Sequence, residues 1–166
     1  PQALANNLSG PDSFKLFVIK GAVASKSIVK GDYADSADKL ASLGQSKQQS
    51  ATQLYETAMS SCVTNVHINK LTAAIEACDN AVAAIDSVKR RTIIKHKYKA
   101  LALNNRAIAK HFNHDTSGAY QDFAAAKTLN NNSLISDNLD RFSMQLINNQ
   151  LAVQTSDDTQ TDSASD

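Results

Sequence analysis

The sequence predicts an all-α chain built from successive helical hairpins. Three observations carry this. Both prolines, Pro1 and Pro11, lie at the start of the chain, so no proline bars a helix from Ser13 onward. Alanine is abundant, β-branched runs are short, and aromatic residues make up only 5% of the chain with no Trp, a composition that favours helix. The third observation is the stretch from Lys97 to Asn132, which reads as one helix–turn–helix unit. Its first half, to about Phe112, carries Leu101, Leu103, Ala107 and Ile108. Asn113, His114 and Asp115 interrupt the run, and Asp115 is a good N-cap for the second helix. The second half places Ala119, Phe123, Ala126 and Leu129 three or four residues apart, on one helix face. Asn130-Asn131-Asn132 ends it.

At 166 residues the chain can bury one real core. A formal net charge of +1 gives no strong overall field for nucleic acid or membrane. No apolar run is long enough to span a bilayer. The opening PQALANNLSG lacks the charged and apolar regions of a signal peptide. With no initiating Met, a processed or trimmed N-terminus is expected, and the missing signal does not argue for the cytoplasm.

In order, residues 1–12 read as a flexible lead-in and 13–153 as a single helical domain. Asp12 or Ser13 is expected to cap a helix from Phe14 to about Lys30, ended by Gly31. A second helix opens at Gly31-Asp32-Tyr33 and runs to about Leu43, where Gly44 ends it. A helix from about Ser46 to Val63 is followed by a turn at Thr64 to Val66 and a helix from about His67 to Asp86. The segment around VKRRTIIKHKYK supplies extra helical turns before the next hairpin, with a bend near Ser87 to Thr92. Ser133 opens a last helix to about Asn149, with Leu134, Leu139, Phe142, Leu146 and Ile147 as its apolar positions. Residues 154–166 (QTSDDTQTDSASD) are polar and acidic and are expected to be disordered. The spacing Ala74-x3-Cys78-x2-Ala81 parallels Ala119-x3-Phe123-x2-Ala126, a sign of internal repetition.

From about Phe14 to Asn132 the chain resembles the tetratricopeptide repeat (TPR) family, whose unit is a hairpin of about 34 residues with the pattern W-x2-L-G-x2-Y…A-x3-F…P. In the third hairpin Leu103 takes the first aromatic place, Ala107 the small place, and Ala119 and Phe123 the A-x3-F part. Arg106, Lys110 and Asn131 depart from the consensus leucine, tyrosine and proline. In the second, Cys62 holds the small place, Ala74 the alanine place and Cys78 the aromatic place. In the first, Ala24, Ser36 and Leu40 stand at those positions, and Lys20 matches the first large position poorly. The interval between the second and third small places exceeds the usual repeat by about eleven residues, and the excess falls on 87–99.

The resemblance implies a right-handed array of three hairpins with a C-terminal capping helix over its last exposed face. It also implies a non-enzymatic scaffold or adaptor that holds a peptide or partner domain on its concave face. The residues that would line that face are Asn104, Asn105 and Lys110 in the third hairpin, Ser60 in the second and Lys26 in the first. Asparagine amides there would be bidentate partners for a peptide backbone, or would simply be solvated. A TPR subclass that binds C-terminal carboxylates has its binding positions at Gly21, Ser25, Ser60, Leu101 and Asn105, and only the asparagine fits.

In this register Cys62 and Cys78 face each other across one hairpin, within disulfide reach. A disulfide would imply an oxidising compartment, periplasmic or secreted. Two buried free thiols acting as small apolar residues, in a cytoplasmic protein, is the alternative. Lys89, Arg90, Arg91, Lys95, Lys97 and Lys99 form a basic run that is either an anion- or nucleic-acid-binding patch or a solvated face, and the low net charge favours the solvated face. His111 and His114 lack a third metal ligand other than Asp115, so no metal or other cofactor is expected. No phosphate loop, nucleophile elbow or zinc-protease motif is present, and Glu56, Glu76 and Asp79 read as surface pairs. The expected function is therefore protein–protein interaction with an unidentified protein or peptide, and no enzymatic activity.

Overall fold

The computed structural model of the chain describes residues 10, 13–43 and 49–158, with side chains to residue 150. The described residues form α1 (Ser25–Val29), α2 (Tyr33–Leu43), α3 (Ala51–His67), α4 (Leu71–Ser87), α5 (Thr92–Phe112), α6 (Thr116–Leu129) and α7 (Ser133–Asp158), with no strand among them. Each helix packs on the next in sequence. In addition α1 touches α3, α3 touches α5 and α5 touches α7. The odd-numbered helices thus pack in one row, and α2, α4 and α6 each pack against two consecutive members of it.

Local chemistry sets most boundaries. Ser50 and Gln53 cap the start of α3 with a capping box, in which Gln53 N–H donates to Ser50 Oγ and Ser50 N–H to Gln53 Oε1. Asp115 caps α6 through Gly118 N–H at 2.9 Å. Asn132 Oδ1 accepts from Ile135 N–H at the start of α7. The break between α4 and α5 falls at 88–91, within the stretch where the sequence predicts a bend.

The second hairpin differs from its expected boundaries. Its turn lies at Ile68 to Lys70, not Thr64 to Val66. Asn69 makes the stop by taking a left-handed φ of 57°, a conformation asparagine tolerates better than most residues. Helix α7 runs on through Asp158, into the first residues of the expected acidic tail. Residues 159–166 lie outside the described residues, as does most of the expected lead-in.

The expected helix from Phe14 to Lys30 is not formed. Only Ser25–Val29 is helical, and Ala24, which holds the small place of that helix in the TPR register, precedes it with a left-handed φ of 63°. Residues 15–19 are non-helical. The reason is reach. Phe14 packs on His111 and Phe112 near the end of α5, whereas Ile19 shares an apolar cluster with Tyr98 near its start. His111 and Tyr98 lie roughly 20 Å apart along α5 at about 1.5 Å per residue. Five residues cover such a distance only as nearly extended chain; as a helix they would cover less than half of it. Segment 14–19 therefore runs antiparallel to α5.

The core is divided by this segment's contacts. Phe14 joins Phe123, Phe142, Ala107, Ala119 and Val66 in one cluster, with Phe123 and Phe142 fully buried. Phe17 and Ile19 pack on a second cluster of Tyr55, Met59, Ala81, Ile85 and Ala102. The small positions Cys62, Ala74, Ala81, Ala107, Ala119 and Ala126 are all fully buried, so paired helices meet without bulky side chains between them.

Candidate functional site

Three asparagines hold segment 14–19 by its main chain. Asn138 on α7 takes Lys15 from both sides: Lys15 N–H donates to Asn138 Oδ1 at 2.8 Å, and Asn138 Nδ2 donates to the Lys15 carbonyl at 2.9 Å. Asn105 on α5 does the same at Phe17, with distances of 2.8 and 2.9 Å. Asn104 joins them. Its Oδ1 accepts from Asn138 Nδ2 at 2.9 Å, and its Nδ2 reaches the Lys15 carbonyl and Asn105 Oδ1 at 3.4 and 3.3 Å. All three side chains are fully buried, and each amide is bonded through both its oxygen and its nitrogen. Such a network fixes the position and direction of a backbone while ignoring its side chains. The amides of Asn104 and Asn105 thus bind a peptide backbone here, and that backbone is the chain's own.

The other sequence candidates lie elsewhere. Lys110 pairs with Asp122 at 2.9 Å. Ser60 is buried, and its Oγ has no hydrogen-bond partner among the described residues. Lys26 is exposed on α1. The five candidates therefore do not form one continuous surface. Cys62 and Cys78 sit at disulfide distance, with Cα atoms 5.2 Å apart and both side chains fully buried.

Beyond Ile19 the track opens into a cleft of about 910 Å³ between α3, the end of α4 and the start of α5. Its apolar part is Ile19, Ile85, Val88, Ile94 and the rings of Tyr55 and Tyr98; its polar part is Thr52, Glu56, Lys89, Arg90 and Arg91. Tyr55 Oη donates to the Tyr98 carbonyl at 2.8 Å, and burial raises the phenol's pKa far above its usual value, so it stays a donor. The basic run divides here. Lys95 donates to the Asp86 carbonyl at 2.7 Å and Lys99 pairs with the Asp86 carboxylate at 2.9 Å, which places both cations at the C-terminal end of α4. Lys89, Arg90 and Arg91 are exposed and face the cleft with no ion pair among the described residues.

Two further groups support the site from behind. Arg106 grips Asp122 with two bonds of 2.7 and 2.6 Å and reaches Asp79 at 2.6 Å, which ties α4, α5 and α6 together. The Asp122 hydrogen bonds hold the guanidinium pKa above its ordinary value despite partial burial. Arg106 is thus an ion-pair hub. His111 packs against Phe14, Phe112 and Phe142, and this burial lowers its pKa, partly offset by a hydrogen bond to Gln145.

Sequence reasoning missed Asn138 and the open segment it holds. A signal was present: Asn138 stands between Ile135 and Phe142 on the apolar stripe of α7, where an amide has to find buried partners. No protein-family description matches the chain, no curated protein is significantly similar to it, and no solved structure matches it.

Proposed function

We propose that the chain is a divergent, right-handed TPR-like array that acts as a non-enzymatic scaffold, binding an extended peptide or partner segment along its row of odd-numbered helices. One observation carries this reading. That row already holds an extended chain by sequence-independent main-chain bonds at Lys15 and Phe17, and the track leads into an open cleft. Main-chain bonding of an extended segment with side-chain pockets beside it is a recurrent way of recognising peptides. The Cys62–Cys78 pair is compatible with an oxidising compartment, periplasmic or secreted. Among the described residues no helix is long and apolar enough to cross a membrane.

The test is selection of a random displayed-peptide library on the immobilised chain. Enriched peptides should lose binding to Thr52→Trp, which fills the cleft from an exposed helix position. No enrichment, or enrichment indifferent to that substitution, would overturn the reading.

A further inference from the structure

The cleft at the end of the asparagine-held track has an unbalanced lining. Lys89, Arg90 and Arg91 bring three cations to it against the single carboxylate of Glu56. The neighbouring lysines do not add to this excess, because Lys95 and Lys99 are engaged by Asp86. The three exposed cations sit on the short connection between α4 and α5 and line the cleft together with the more buried Ile85, Val88 and Ile94, its apolar floor. Ile19 lines the same cleft, so a chain lying there continues the line of segment 14–19.

We infer that this cleft is a docking site for an acidic, extended segment of a partner protein, one that alternates Asp or Glu with aliphatic residues. This rests on the peptide-binding reading above and names the chemistry of its ligand. Carboxylates meet the arginine forks bidentately at the rim, which Arg does better than Lys. Aliphatic side chains on the alternate face fill the floor, since successive residues of an extended chain point to opposite sides. A polynucleotide would satisfy the cations, but the floor is mainly aliphatic and the Tyr55 ring is buried, so bases find little aromatic face to stack on and protein is the favoured partner.

The experiment starts from the peptides enriched in the selection, labelled with fluorescein and titrated against the intact chain by anisotropy. They should be acidic, and their binding should weaken by about tenfold or more in the Arg90→Glu/Arg91→Glu variant and with rising salt. Both arginines are exposed, so this variant should keep the parent's melting temperature. Replacing the peptide's aliphatic residues with serine should also abolish binding. Enriched peptides that are neutral or basic would overturn this inference and leave the scaffold reading standing, whereas no enriched peptide would overturn both. A fluorescein-labelled single-stranded oligonucleotide that binds more tightly than the acidic peptides, and displaces them, would also overturn it. So would self-association of the chain that disappears in Arg90→Glu/Arg91→Glu, which would give the cleft to a second copy.

Discussion

Asn104 and Asn138 meet across the seam between α5 and α7, Oδ1 to Nδ2 at 2.9 Å, and both amides reach the carbonyl of Lys15. The contact is therefore a three-way junction of the N-terminal segment, the third hairpin and the last helix. Because the three groups act as a unit, Asn104→Ala and Asn138→Ala should not be additive. Urea denaturation of the two single variants and the double variant should give a double-mutant cycle with coupling of about 1 kcal/mol or more.

Asn105→Ala leaves both the N–H and the carbonyl of Phe17 without the partners they have now. The expected loss is about 2 kcal/mol, the cost of stranding partly buried polar groups. Hydrogen exchange should show the Phe17 amide losing its protection first. Unchanged exchange at Phe17 would mean that Asn105 does not hold the segment.

Asp122 is the buried member of the ion-pair hub, with its side chain 7% exposed, and it serves both Arg106 and Lys110. Asp122→Ala leaves Lys110 without its carboxylate and Arg106 with only the exposed Asp79, and should cost about 3 kcal/mol. Asp122→Asn keeps some of the hydrogen bonds and should cost less. Chemical denaturation of both variants checks the order.

Opening the Cys62–Cys78 pair removes a link across 16 residues, worth about 3 kcal/mol in the chain-entropy account. Reductant should lower the melting temperature of the parent and leave Cys62→Ala/Cys78→Ala unaffected. Alkylation under denaturing, non-reducing conditions should label neither cysteine.

His111 sets a pH limit. Its pKa in the fold lies below the ordinary 6.5 because the imidazolium would be desolvated among phenylalanines. Well above 6.5 both the folded and unfolded chains keep this residue neutral, and its contribution is constant. As pH falls below that value the unfolded chain takes up the proton first. Stability should therefore drop until the native pKa is also passed. The urea midpoint should fall as the pH is lowered below 6.5 in the parent, and fall less in His111→Phe.

The parts of the fold legible in the sequence are those decided locally. The third hairpin can be read from Asp115, Ala107, Ala119 and Phe123 because its cap, turn and seam lie within one short stretch. The second can be read in outline, and Cys62 and Cys78 do face each other. Its turn is hard to place because VTNVHINK holds no glycine or proline, and Asn65 and Asn69 are equal candidates for the left-handed residue. The N-terminal segment is not settled by its own residues: four of the seven in FKLFVIK are aromatic or β-branched and favour extended chain, but no glycine or proline bars a helix. What prevents the helix is tertiary: Phe14 and Ile19 are held near opposite ends of α5, and Asn105 and Asn138, distant in sequence, take the main-chain groups of Phe17 and Lys15. The same separation hides the site: Asn104 and Asn105 read as amides that could hold a backbone, but nothing local says whose.

The junction at Lys15 also sets a timetable. Lys15 and Asn138 are separated by 123 residues, so on a translating ribosome the segment emerges on the order of ten seconds before its clasp exists. Until α5 emerges Phe14, Phe17 and Ile19 lack the surface they pack on, and until α7 emerges Lys15 lacks its clasp. The segment is synthesised before the helices that hold it, and any substitution that weakens the docking of α7 prolongs the time in which it is open to a chaperone or to another nascent chain.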